Sequence, residues 1–521
     1  VTGFLDILLR GLALSGQAIV TGGIVFALLV LRPVAREDPL WTGRQARTLL
    51  LIALGAGLVI LAQALSVTLQ LGTLILELGT TVREAFVTSY FRASAVKVLI
   101  ALAVMVDALA LRRRAWRGGW PVLAGLGVLL AAGAAWTSHA AARLEHRAPL
   151  LVLDALHQLA AGVWIGGLLH LIVVASPDRD RRLPGPLLRR VSSLSLAAVL
   201  VLCLSGVGLA LYYIDSWQAL LGTGYGLMVA TKVAMLGGLA LLGAMNFFAV
   251  RGLSTASETT HVRLRRFVEV ELGAGLIVFF AAASLTSLPP AVDVVDDRAT
   301  LAEVGERFTP QWPSFSSPPL EALPLDDPEA ERTDADRQWS EYNHHMAGVF
   351  VLTMAVLAIL NRLGTGWARH WPLVFLVMAA FLVARNDPGS WPLGPEGFWE
   401  GFLRAEVFQH RLFVLVVVGF GVFEWAVRTG RVRSSRCALV FPLLCVVGGG
   451  LLLTHSHAIL SLKAEYLVEV THAPLGLIAV MAGWSRWLEL RLPAAQQRLP
   501  GRLWTAGMVM VGVLLLLYRE S

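Results

Sequence analysis

The chain has 521 residues, of which 56% are apolar and only 15% charged, where a soluble globular domain carries about 25% charge. That shortfall excludes an ordinary water-soluble fold. The net charge of +7 arises from 43 basic residues, and they sit in short loops between apolar runs, as topology signals do, so no nucleic-acid partner is expected.

Apolar runs close to the roughly 20 residues that cross a bilayer recur along the chain. In order they centre near residues 18, 59, 102, 129, 162, 202, 238, 278, 352, 378, 417, 446, 480 and 510. The fold class this implies is an all-α polytopic integral membrane protein of about 14 transmembrane helices in two halves, embedded in a lipid bilayer. The first run, Leu5 to Leu31, is too long for a signal-peptide core and has no small-residue cleavage site, so a retained first helix is expected. Loops alternate between Arg-rich and Arg-poor. Arg32, Arg36, Arg44 and Arg47 fill the first; Arg112, Arg113, Arg114 and Arg117 the third; Arg179, Arg181, Arg182, Arg189 and Arg190 the fifth. Arg263, Arg265 and Arg266 follow in the seventh, and Arg428, Arg431, Arg433 and Arg436 after the eleventh span. With the Arg-rich loops on the cytoplasmic side, both termini face outward, which in a bacterial inner membrane is the periplasm. Residues 289–342 are rich in Pro and acids, among them Asp293, Asp296, Asp297, Asp334 and Asp336. They read as an irregular hydrophilic linker between an eight-helix domain, 1–288, and a six-helix domain, 343–521.

The first half carries an internal echo. Thr88-Ser89-Tyr90 precedes Lys97 at the spacing by which Thr223-Gly224-Tyr225 precedes Lys232. Spans one to four and five to eight then read as a 4+4 parallel repeat, because four crossings restore orientation. These are two of only three lysines in the chain. A lysine inside a span is expensive and faces the bundle interior or a cavity, unless it reaches back to the surface a turn or two away. On the first reading Lys97, Lys232 and Tyr225 line a polar path.

Of 12 histidines, nine fall at or near helix ends on the outward side: His139, His146, His157, His344, His345, His410, His455, His457 and His472. Imidazole is the commonest metal ligand and suits copper, zinc and iron, haem iron included. His139 is read as closing span four and His157 as opening span five, at one depth. In the second half His345, His410 and His472 open spans, and His455 and His457 close one. An acid lies one helical turn before each opening histidine: Asp154 before His157, Glu341 before His344 and His345, Glu406 before His410, Glu469 before His472. Each acid is placed to orient its imidazole, although acids also favour helix N-termini for reasons of capping and dipole alone. His146 and His344 are the weakest ligand candidates. The cysteines, Cys203, Cys437 and Cys445, lie in apolar stretches without C-x-x-C spacing, so a soft thiolate cage is not expected. The phosphate-loop pattern of an ATP-driven pump is missing.

Ser138-His139-Ala140, then Asp154-Ala155-Leu156-His157 with Gly162-Val163-Trp164-Ile165-Gly166-Gly167-Leu168, followed by Ser205-Gly206, Tyr225-Gly226, Lys232 and Asn246, resemble the copper resistance protein D (CopD) family. The resemblance covers about residues 5–290. It implies a bacterial inner-membrane protein of copper homeostasis that takes copper from a separate periplasmic carrier protein and moves it toward the cytoplasm. His139 and His157 would face the copper. Three readings stay open for the whole chain. One is a copper transporter. Another is an oxidoreductase whose second half holds haem b between histidines and passes electrons. The third is a non-catalytic assembly or sensor subunit docking through the acidic loop.

Overall fold

The computed structural model describes residues 2–114, 116, 118–175, 185–252, 258–323, 333–454 and 462–520. Among them the regular secondary structure is helical, with no β-strand. Thirteen helices are long and apolar enough to cross a membrane, and a fourteenth is shorter. In chain order they are α1 (Gly3–Glu37), α2 (Trp41–Leu76), α3 (Ser89–Arg113), α4 (Gly119–Ala135), α5 (Arg147–Ala175), α6 (Gly185–Tyr213), α7 (Gly224–Arg251), α8 (Thr259–Leu285), α9 (Asp334–Arg362), α10 (Gly366–Arg385), α11 (His410–Arg428), α12 (Cys437–Thr454), α13 (Leu462–Arg491) and α14 (Arg498–Leu516). Each falls on one of the apolar runs read from the sequence. The chain is an all-α polytopic membrane protein. Helix α4 is the short one, and its 17 residues rise about 25 Å, less than the roughly 30 Å of hydrocarbon.

Two compact units form: Val1–Arg298 with Thr454–Glu465, and Ala299–Leu453 with Tyr466–Ser521. In the first, α1 is the central helix, packed by α2, α4, α5 and α8. Its packing against α5 depends on glycine. A π-helical turn, Gly162–Gly166, interrupts α5, and there a Cβ on Gly166 would lie 1.9 Å from the Ala18 carbonyl oxygen and one on Gly22 2.3 Å from that of Gly162. No larger residue permits that approach, so small residues are what bring these two backbones together. In contrast, α6 leaves most of its apolar surface exposed, as a lipid-facing helix does.

In the second unit α9 packs against α14 and α10, and α10 against α11. One end of these helices is tied by buried charges. Glu489 accepts from Arg362, from Arg486 and from the Trp504 indole N–H, while Glu424 lies 2.6 Å from Arg428. The opposite end holds the described histidines His344, His345, His410 and His472.

The linker is more structured than its composition suggests. Arg143 grips Asp293 through two hydrogen bonds, and Arg298 reaches Asp215 and the Ala291 carbonyl. A short helix, Leu301–Arg307, starts at a Thr300–Glu303 capping box. Within the second unit Ser317 accepts from Arg385, whose guanidinium stacks on Trp339.

Candidate functional site

The polar residues of the first unit converge at the end of the bundle where α5 to α8 meet. The start of α7 is built for this. Thr223 caps the helix by accepting from the Gly226 N–H, and a Cβ on Gly226 would strike the Leu220 carbonyl oxygen at 2.2 Å. That fixed turn directs Tyr225, buried, toward Tyr213 and His139, with ring centroids 5.9 and 6.3 Å away. Two turns further along, Lys232 is an electrostatic neighbour of both Asp154 and His157. Asp154 accepts from Gln158 at 2.8 Å, and Gln158 accepts from Gln17 of α1 at 3.1 Å. A polar chain therefore runs from α1 through α5 to α7 in a region that is otherwise apolar.

His157 places Nδ1 3.1 Å from the Leu202 carbonyl and 3.3 Å from the Ser205 hydroxyl. Donation from Nδ1 to that carbonyl leaves a lone pair on Nε2, the form a metal requires. Gly206 makes room for the ring, since a Cβ there would lie 3.0 Å from its Cε1. His139 begins a short helix, His139–Ala142, with Nε2 3.4 Å from the Leu285 carbonyl. Burial holds its imidazole below the ordinary 6.5, the hydrogen bond to Leu285 opposing and Arg10 and Arg143 adding to the depression.

Lys97 is 4% exposed and lines a cavity of about 60 Å³ together with Arg10, Gln63, Ser66, Tyr90 and Gln158. It points inward rather than back to the surface. The neighbouring Arg10 is paired with Asp6 at 2.7 Å. The two lysines thus have different company: Lys232 meets a carboxylate, and Lys97 meets the repulsion of Arg10.

Several expected pairings differ. Helix α5 begins at Arg147, so His157 lies ten residues, about 15 Å, along it rather than at its opening. In the same way His345 and His472 sit about three turns inside α9 and α13. His157 and His345 turn to backbone carbonyls rather than to the acid one turn earlier. His345 uses both ring nitrogens: Nδ1 accepts from the Ser314 N–H at 3.1 Å, and Nε2 donates to the Tyr518 carbonyl at 2.9 Å. Glu341 accepts instead from the Glu520 N–H. His410 has a carboxylate partner in Asp387, 2.7 Å away across a 23-residue separation. The side chain of Glu406 lies outside the described residues, as do His455 and His457, Arg117, and the charged residues of 179–182 and 326–331. Glu469 is buried.

His344, the weak candidate, is well placed. It and His472 each bring Nδ1 to 2.8 Å from the carbonyl four residues earlier, Ser340 and Val468 respectively. Their ring centroids are 5.6 Å apart, beside Tyr518. Among the described residues no three His, Cys, Asp or Glu side chains gather as a metal cage. Sequence reading passed over Gln17, Gln158, Glu271 and Asp387. The first three were open to notice as polar residues within apolar runs, whereas Asp387 acts across a loop.

Residues 185–285, which include Ser205, Tyr225, Lys232 and Asn246, match the model of the family described as copper resistance protein D. This segment belongs to the CopD family. The CopD segment comprises α6, α7 and α8; α6 supplies Tyr213 and α7 supplies Tyr225 and Lys232 to the cluster above. A relative described as copper transport protein CutJ, from Bacillus subtilis (strain 168), is 31% identical over 201 residues, 38% of this chain and 35% of that protein. The chain thus spans about a third of the length of that relative. No solved structure matches it.

Proposed function

We propose that this protein transports copper across a bacterial inner membrane, and that the cluster around Asp154, His157 and Lys232 is where the ion passes the first unit. The observation that carries this reading is the joining of a carboxylate, an imidazole with a free Nε2 and a lysine ammonium at the edge of the CopD segment. In the empty protein the Lys232 charge balances Asp154. An entering copper ion takes over that role, with the His157 Nε2 and the carboxylate as donors, and the ammonium is repelled. Such an exchange of one cation for another avoids an uncompensated charge in the bundle. His139, beside Tyr225, serves as the outer ligand, and Lys97 with the cavity next to Gln158 extends the polar path.

On this reading the histidine-bearing ends and both termini face the periplasm, where a separate carrier protein delivers copper. In the second unit His344 and His472, with His410 oriented by Asp387, are the first ligands of a further copper station. His345 holds α9 to the segments around Ser314 and Tyr518. The test is metal analysis of the purified protein and of the His139→Ala, His157→Ala double variant. Copper is expected with the wild type and a lower stoichiometry with the variant. Iron at one or two per chain, or copper unchanged in the variant, would contradict it.

A further inference from the structure

A second buried carboxylate of the first unit lies outside the Asp154 cluster. Glu271 is 3% exposed, near the middle of α8. Its Oε1 accepts from the Trp164 indole N–H at 2.7 Å and its Oε2 from the Asn246 amide at 3.0 Å. Trp164 reaches it because the π-helical turn of α5 carries the indole there, and π-bulges recur at functional sites. Both partners are neutral.

Among the described residues no ion pair reaches Glu271. The elements packed against α8 are α1, α5 and α7; of their ionisable residues Arg10 pairs with Asp6, His170 turns to the Ile19 carbonyl, Lys232 neighbours Asp154 and Arg251 stacks on Phe247, and on α8 itself Arg266 pairs with Glu269. A carboxylate in such surroundings, held by only two neutral donors, is far more expensive as an anion than as an acid. Asn246 can meet either form of the carboxyl: its amide N–H donates to the carboxylate, and the same amide turned over presents Oδ1 as an acceptor to the acid.

We propose that Glu271 is a proton-binding site inside the membrane bundle. When the carboxylate gains H⁺ from water, the new O–H donates to the Asn246 Oδ1 as the amide turns over. When the proton leaves, the amide turns back and its N–H donates to the carboxylate. No other bond changes and no electron moves. The site's ligand is the proton, and its role is that of a relay coupling H⁺ to a transport step. It does not depend on which cargo the protein carries.

The test is infrared difference spectroscopy of the copper-free protein in liposomes, wild type against Glu271→Gln, across a pH series. A carboxylic-acid C=O band present in the wild type, missing in the variant and converting to carboxylate as pH rises, is the expected result. No such band at any pH, or a band that never converts, overturns the proposal. The glutamine keeps the shape and can still engage Trp164 and Asn246. Should that variant fail to fold, labelling of the wild type by dicyclohexylcarbodiimide, which attacks a protonated carboxyl in apolar surroundings, decides. Modification at Glu271 that fades at high pH supports the site, and an unmodified Glu271 peptide at every pH overturns it.

Discussion

His139 illustrates how a single residue joins placement to chemistry. Because burial lowers its proton affinity in the folded state, the unfolded chain binds the proton better. Its contribution to stability is therefore complete above the ordinary 6.5 and is lost progressively as pH falls below it. The metal-free His139→Gln variant is expected to lose less thermal stability between pH 7 and 5 than the wild type; equal losses would contradict this. Glycines 166 and 167 make a sharper contrast. They are adjacent in the Trp-Ile-Gly-Gly stretch, yet a Cβ on Gly166 runs into α1, and one on Gly167 meets nothing within 4 Å. Gly166→Ala should destabilise by about 1–3 kcal/mol and Gly167→Ala hardly at all, as read by thermal unfolding in detergent.

At the scale of elements, every long apolar helix was legible in the sequence because a bilayer demands long apolar runs, and such runs have few alternatives. Helix beginnings were not. The polar first turns of α9, from Asp334 to Asn343, do not register as hydrophobic, and α5 opens on Arg147-Ala148-Pro149 before an apolar stretch broken by Asp154, so both helices begin about ten residues earlier than the histidines that were read as their openings. Partners across loops were hidden too: Asp387 finds His410 only once α10 and α11 pack. The charged tie among α9, α13 and α14 was equally hidden, because Arg362, Glu489 and Trp504 are remote in sequence. Glu489→Leu leaves Arg362 and Arg486 without their carboxylate. A buried charge stripped of its partner costs about 3–5 kcal/mol, so the variant should unfold at markedly lower temperature, and an unchanged midpoint would show the tie to be idle.

For the whole molecule, the class and the CopD segment are secure, and the copper reading rests on the way the cluster around Asp154 uses residues from that segment. The two lysines stood out in the sequence as polar residues within apolar runs, whereas the nearness of Lys232 to Asp154 and the chain through Gln158 to Gln17 emerged only in three dimensions. Copper movement across the bilayer is the decisive property. Purified protein in sealed liposomes should accumulate radioactive copper with time, saturably, and Asp154→Asn or His157→Ala should reduce that rate at least tenfold while the protein remains folded. Wild-type vesicles that take up no more copper than protein-free ones, or variants as fast as the wild type, would contradict it.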